Sequence, residues 1–288
     1  MLIWLRALRL GQWSKNLLLL VPVFTAHEFH AAALGRVGLA FVAFGLVASA
    51  TYVLNDILDL EADRLHPRKR HRPFAAGDLP TSHGPAGMAV LLALGLGLAA
   101  LVSGPFLLVV LGYAVLTTAY SAFLKAYVLV DVFVLAGLYT LRILAGAAAI
   151  GIAVSPWLLA FSSFVFYSLA LVKRDAELAG LARRGDADAA GRDYHVADYP
   201  MLSIMGIASG YLAVLVLALF INTGPVKEQY TYPNVLGLLC PVVLYWISRL
   251  WLKTSRGEMV DDPILYCFKD IVSWMVLAAM IGITLAAM

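Results

Sequence analysis

The sequence predicts an all-α polytopic membrane protein, a bundle of nine transmembrane helices. Three observations predict it. The 288 residues are 62% hydrophobic and 14% charged, whereas soluble domains carry about 25% charged residues. Apolar runs of about 20 residues, long enough for a helix to cross a bilayer, recur along the whole chain. The basic residues are sorted onto alternate connections, as they are in a chain that weaves through a membrane.

Taken in order, the runs place spans near 12–29, 36–56, 88–104, 106–124, 130–151, 156–173, 203–222, 234–252 and 270–287. The first is interrupted by Gln12, Lys15 and Asn16. Arg6 and Arg9 before "NLLLLVPVF", with "AAA" at 31–33, also give it the outline of a signal peptide. The span reading is kept, because first spans commonly resemble signals. The second ends in a dense group of acids. The third ends in "LGLGLAALVSG" (94–104), whose small residues suit close helix packing. The fifth carries Asp131 and, inside the apolar run, Arg142. The sixth ends in "LVKRDAEL", and the last three are nearly free of charge. The tryptophans sit mostly near span ends, as an aromatic belt does.

With the N-terminus inside, 18 of the 21 Lys and Arg residues fall on the cytoplasmic side, Arg36 and Lys227 fall outside, and Arg142 lies within a span. Nine spans then put the C-terminus outside, in the cytoplasmic (inner) membrane. Cys240 and Cys267 fall near opposite faces, beyond the ~7 Å Cα reach of a disulfide, and read as small apolar fillers. The chain reads as one transmembrane domain, 1–288, with cytoplasmic charged loops at about 63–87 and 173–201. The second loop reads as a short amphipathic helix and a turn.

The chemistry concentrates in "YVLNDILDLEADRLHPRKRHRPFAAG" (52–77). On a helix at 100° per residue, with Asn55 at the origin, Asp59 lies at about 40°, Asp63 at about 80° and Asp56 at about 100°. Glu61, at about 240°, falls on the opposite side. Three carboxylates on one stripe repel unless a cation lies among them, and hard oxygen ligands suit Mg²⁺ bridging to substrate phosphates. Ionisable groups at membrane depth are expensive and mark function. Arg64, His66, Arg68, Lys69, Arg70, His71 and Arg72 follow at once. Guanidinium groups match phosphate oxygens in pairs, so acids and bases together describe a site for a metal-bound diphosphate. Part of the basic run also anchors the inner face.

These residues resemble the first aspartate-rich motif of the UbiA superfamily of intramembrane prenyltransferases, N-D-x-x-D-x-x-x-D followed by R-P-x-x-x-G. The matching positions are Asn55, Asp56, Asp59, Asp63, Arg72, Pro73 and Gly77. The resemblance implies helices arranged around a cavity open to cytoplasm and lipid. "LRLGQWSKNLLLLVPVF" (8–24), "HPRKRHRPFAAG" (66–77), "YSAFLKAYVLVDVFVLAGLYTLRILAGA" (120–147), "LVKRDAELAGL" (171–181) and "GRDY" (191–194) resemble one branch, the decaprenyl-phosphate phosphoribosyltransferases. Members that use prenyl diphosphates carry a second D-x-x-x-D after the sixth span, where this chain has "KRDAEL". There Lys173, Arg174 and Glu177 share a helix face, and Asp175 points away from it.

The branch implies transfer of 5-phosphoribose from phosphoribosyl diphosphate (PRPP) to a polyprenyl phosphate, releasing pyrophosphate, with Mg²⁺ as cofactor and homotrimer assembly. On that reading Asp56, Asp59 and Asp63 hold Mg²⁺ on the donor diphosphate beside Asn55. Lys69, Arg70 and Arg72 contact phosphate, and Lys173, Arg174, Glu177 and Tyr194 complete the donor side. Gln12, Lys15, Asn16, Tyr120 and Lys125 suit the acceptor phosphate. Arg142 either joins them or pairs with Asp131, eleven residues back on the same stripe. Two rivals stand beside this reading. One is a prenyltransferase using a prenyl diphosphate and an aromatic or other acceptor. The other is a transporter of a phosphorylated or cationic solute, against which stands the crowding of charge on one face.

Overall fold

The computed structural model describes residues 2–65, 69–185, 192–259 and 262–288; His66, Arg68 and Gly191, named above, lie outside these. Among the described residues every element is helical. In chain order they are α1 (Leu2–Ala7), a long 3-10 helix (Leu10–Leu20), α2 (Val21–Thr25), α3 (Ala31–Leu58), α4 (Leu60–Leu65), α5 (His83–Val102), α6 (Gly104–Ala122) and α7 (Val130–Ile150). The rest are α8 (Pro156–Arg184), α9 (Tyr199–Ile221), α10 (Gly224–Gln229), α11 (Leu239–Ser255), α12 (Pro263–Lys269) and α13 (Ile271–Ala287), with short 3-10 turns between some of them.

Local chemistry sets many of the helix starts. Proline occupies the first turn of α6, α8, α9, α10 and α12, where its missing N–H costs no hydrogen bond. Ser103 caps α6 by accepting from the Phe106 N–H at 3.1 Å, and its hydroxyl donates to the Ala148 carbonyl at 2.8 Å. Ser155 and Asp262 cap α8 and α12 in the same way. Gly185, at φ 76°, closes α8 in the left-handed conformation.

Among the described residues seven helices are long and apolar enough to cross a membrane, and α12 with α13, bent by 83°, makes an eighth if taken as one span. The protein is an integral membrane protein. The nine spans expected from the sequence differ from this at the first, because 12–29 is not a long α-helix. Its sixteen helical residues run from Leu10 to Thr25, mostly as 3-10 helix. The tighter coil rises about 2 Å per residue, so this short stretch reaches about 30 Å. The sixth helix also differs. It does not stop at 173 but runs on to Arg184, so Lys173, Arg174 and Glu177 stand on a continuous α8.

The chain folds as two compact units: Met1–Lys125 with Leu138–Val154, and Ala126–Gly137 with Ser155–Met288. In the first, α3 is the central element, packed on α5, α6 and the long 3-10 helix. In the second, α8 pairs with α9, and α11 packs on both. A 3-10 helix repeats every three residues, and the one at Leu10–Leu20 uses that repeat. Trp13 lies against Gly45 and donates to the Ser49 hydroxyl at 3.0 Å. Asn16 meets Arg142 at 3.3 Å, and the Leu19 backbone lies against Gly146 so closely that a Cβ there would be 2.1 Å from the Leu19 carbonyl oxygen.

Candidate active site

In the first unit α3 ends at Leu58 and α4 begins at Leu60, yet the coil carries through. The Asp59 N–H bonds to the Asn55 carbonyl at 2.9 Å and the Asp63 N–H to that of Asp59 at 2.8 Å. The stripe read from the sequence is therefore kept. Asp56 and Asp63 are buried, Asn55 and Asp59 half-buried, and Glu61 is exposed. Each of the three aspartates is held by a cation. Arg9 pairs with Asp56 Oδ1, which Arg72 also reaches at 3.2 Å. The same Arg72 nitrogen pairs with Asp63 Oδ2, and Lys125 pairs with Asp59. Asp56 Oδ2 is buried with no hydrogen-bond partner among the described residues.

Arg9 is the residue the sequence reading missed, having been taken only as an orienting charge. Its backbone is left-handed, φ 51° and ψ 49°, a conformation that costs a non-glycine residue about 1–3 kcal/mol. The bend between α1 and the 3-10 helix aims its side chain at Asp56, across the Tyr52 ring at 5.3 Å. Burial pulls the Arg9 guanidinium below its ordinary value, opposed by Asp56 and reinforced by Arg72. Of the basic run, Arg72 is thus central, Lys69 half-buried and Arg70 exposed, its Nε 3.4 Å from the His71 ring.

A second polar group lies deeper in the same unit. Arg142 is buried, donates to the Leu138 carbonyl at 2.7 Å and the Tyr113 hydroxyl at 3.1 Å, and lies over the rings of Phe44, Tyr113 and Tyr139. Asn16 is buried beside it, its amide nitrogen without a hydrogen-bond partner among the described residues, and the Lys15 ammonium lies over Tyr139 at 5.5 Å. Gln12 and Tyr120 are half-buried. An apolar groove of about 420 Å³ opens between α3, α5 and α6, lined by Thr51, Leu54, Leu92, Thr118 and Phe123 among others.

In the second unit Asp131 and Arg174, both fully buried, form an ion pair. Arg174 also pairs with Glu177, which accepts from Arg192 at 2.7 Å. The Tyr194 hydroxyl donates to Asp131 at 2.5 Å and accepts from the Leu129 N–H at 2.8 Å. Burial, with the Asp131 carboxylate beside it, pushes the Tyr194 hydroxyl well above its ordinary value. Lys173 lies 3.6 Å from Asp262, and Asp175, turned away from Glu177, accepts from Ser203. Asp131 is thus the carboxylate of Arg174, a pairing the sequence reading did not anticipate.

The model of the UbiA prenyltransferase family matches residues 17–260, a stretch that contains the whole acid row. The chain belongs to that family. Its structural likeness to UbiA proteins runs end to end. A UbiA homologue from Archaeoglobus fulgidus bound to GPP and Mg²⁺ superposes with a TM-score of 0.74 over 98% of this chain and 99% of the other, at 19% identity. At that identity the likeness concerns the fold.

Sequence relatives divide in two. Uncharacterized protein y4nM of Sinorhizobium fredii is 42% identical over 95% of this chain, which spans about half (53%) of that relative's length. Nodulation protein NoeC of Azorhizobium caulinodans is 40% identical over 92% of this chain and 86% of its own. Decaprenyl-phosphate phosphoribosyltransferase of Corynebacterium glutamicum is 41% identical over 60% of this chain and 54% of its own length.

UbiA relatives hold Mg²⁺, and the first unit's residues fit such an ion. Mg²⁺ is bound through one or two carboxylates, with water and substrate phosphate completing its shell. Asp56 Oδ1 and Asp63 Oδ2 converge on one Arg72 nitrogen, so the two carboxylates are already side by side, and Asp56 Oδ2, with no hydrogen-bond partner among the described residues, is a ready hard ligand. Among the described residues no three His, Cys, Asp or Glu side chains are gathered for a metal; Asp59 stands with Lys125 instead.

Proposed function

We propose that this UbiA-family membrane transferase moves 5-phosphoribose from PRPP to a polyprenyl phosphate of decaprenyl type, releasing pyrophosphate. The observation that carries this reading is Arg174. It stands where prenyl-diphosphate-using members carry D-x-x-x-D, and Asp131 and Glu177 are committed to it. With Asp131 and Glu177 neutralised by Arg174, the helix offers no second pair of acids for a metal, and with Lys173 beside them it suits a more anionic donor than a prenyl diphosphate. Identity to decaprenyl-phosphate phosphoribosyltransferases, over 60% of the chain, supports the same choice.

On this proposal Asp56 and Asp63 hold Mg²⁺, with Asp59 and Asn55 alongside. When bound, the ion neutralises charge on the departing pyrophosphate. Arg72, Lys69 and Arg70 contact phosphate oxygens, placing positive charge where negative charge develops. Lys173, Arg174, Glu177 and Tyr194 are the second unit's donor residues. The acceptor phosphate is assigned to Lys15, Asn16 and Arg142, with Gln12, Tyr120 and Lys125, and its tail to the α3–α5–α6 groove. A phosphate monoester is anionic at neutral pH, so its oxygen attacks C1 of the ribose without a strong general base.

Membranes holding the chain should move radiolabel from PRPP into the lipid fraction when polyprenyl phosphate is supplied. Consumption of a prenyl diphosphate with no such label would overturn the reading in favour of a prenyltransferase. Asp56→Asn-sensitive solute flux in proteoliposomes would favour a transporter. A cytoplasmic site, with the N-terminus inside and the C-terminus outside, is part of the proposal. A cysteine in place of Asp78 should react only with reagent on the cytoplasmic side. Homotrimer assembly, implied by the resemblance, is read by the mass of the detergent-solubilised protein.

A further inference from the structure

The aspartate row and its cations form a closed account of charge. Asp56, Asp59 and Asp63 carry three negative charges, and Arg9, Arg72 and Lys125, each in an ion pair with one or two of them, carry three positive ones. The group is electrically neutral and mostly buried. Asp56 and Asp63 side chains are 2% exposed, Arg9 22%, Arg72 23% and Lys125 20%. A divalent cation arriving alone would bring two uncompensated charges into a desolvated neutral cluster, beside three fixed cations that repel it. A divalent cation arriving on a diphosphate brings the anion that those three cations need.

We infer that the row takes its metal only together with a diphosphate, and that Arg9 and Lys125 make it so. Each is a counter-charge freed from its carboxylate as the metal-diphosphate enters, Arg9 for a diphosphate oxygen and Lys125 for the acceptor phosphate assigned to it above. The inference rests on the reading that Asp56 and Asp63 hold the metal, and holds for any diphosphate donor, sugar or prenyl. Three features support it. Asp56 Oδ1 is held by Arg9 and Arg72 while the buried Oδ2 has no hydrogen-bond partner among the described residues, so the carboxylate is already oriented with one ligand atom left over. Lys125 covers Asp59 Oδ1, so that oxygen reaches a metal only when Lys125 leaves it. Arg9 is held in a left-handed backbone conformation that aims it at this point. Arg9 and Lys125 are thus positioning residues for the metal and the gate on its entry.

Binding, not turnover, tests this. The full-length chain in nanodiscs is titrated with Mn²⁺ at buffered free concentration, with and without inorganic pyrophosphate, and protein-retained Mn²⁺ is counted after ultrafiltration. The native chain should bind Mn²⁺ at least tenfold more tightly with pyrophosphate, and by reciprocity pyrophosphate should bind as much more tightly with Mn²⁺. Arg9→Gln, which leaves the cluster one charge negative, should bind Mn²⁺ alone at least tenfold more tightly than the native chain and lose most of the coupling. Arg9→Lys should keep it. Lys125→Met should behave as Arg9→Gln does, which provides the readout if the Arg9 variant fails to fold. Equal Mn²⁺ affinity with and without pyrophosphate in the native chain, or unchanged coupling in both charge-removing variants, overturns the inference. Asp56→Asn separates the two layers. If it removes Mn²⁺ binding while the native chain binds Mn²⁺ alone tightly, the metal site stands and the gate falls. If it binds Mn²⁺ as the native chain does, the metal site itself is wrong.

Discussion

The Lys125 ammonium lies on the Asp59 carboxylate, sixty-six positions away in sequence. The pair ties the end of α3 to the turn after α6 within one unit. It divides the acid row into Asp56 and Asp63, which share Arg72, and Asp59, which does not.

The first prediction follows from that division and from Glu61, which is exposed on the opposite side. Asp56→Asn and Asp63→Asn should each lower transfer of label from PRPP to lipid on the order of 10³-fold, as loss of a charge-stabilising contact at a reacting centre does. Glu61→Gln should change it less than about twofold, in line with a solvated surface group. Equal losses at Glu61 and Asp56 would refute the helix-face geometry.

A second concerns stability in the other unit. Arg174→Met leaves Asp131 charged and buried without its partner, which costs about 3–5 kcal/mol. Replacing Asp131 by Leu at the same time should recover most of that loss, since a packed apolar pair replaces a buried ion pair at little cost. Thermal unfolding of the two variants in detergent reads the difference. A double variant no more stable than the single would show that Arg174 matters chiefly through Glu177.

Glycines supply a third. At Gly146 a Cβ would meet the Leu19 backbone, which cannot swing aside, so Gly146→Ala should destabilise by about 1–3 kcal/mol. Gly97, on α5, has nothing within 4 Å of the same atom, and alanine there should be neutral or stabilise by up to about 1 kcal/mol. Paired melting curves check both.

The fourth is a pH dependence. The raised Tyr194 hydroxyl stays protonated in the folded chain at pH values where a free phenol ionises, near pH 10. Its contribution is therefore whole below about pH 10 and is lost as pH climbs towards the folded value. Tyr194→Phe should melt at lower temperature than the native chain at pH 8, and that gap should narrow above pH 10. A gap that stays constant to pH 11 would mean that the Asp131 hydrogen bond does not hold the proton.

Much of the architecture was legible because lipid imposes apolar runs, and the runs at 130–151 and 156–173 mark α7 and the first part of α8 closely. The acid row was legible because its spacing falls on one helical face. What escaped had physical reasons. The run at 12–29 reads by length alone as an α-helical span, and length does not reveal that Trp13, Asn16 and Leu19 make their contacts with a period of three. The stretch 173–184 reads in sequence as a separate amphipathic helix of a charged loop because its charges look solvated, yet it continues α8, and Arg174 is neutralised by Asp131, forty-three positions away. Arg9 looked like an anchor because no local pattern reveals a partner at position 56.

The three-residue coil at Leu10–Leu20 has a consequence for how such chains can vary. Each of its inward contacts sits a full turn from the next, so the segment has no slack for a change in length. One inserted or deleted residue between Trp13 and Leu19 would swing everything beyond it by about 120°, sending Leu19 off Gly146 or Asn16 off Arg142. Descendants of this stretch should therefore differ by replacement, and tolerate added or missing residues only in threes.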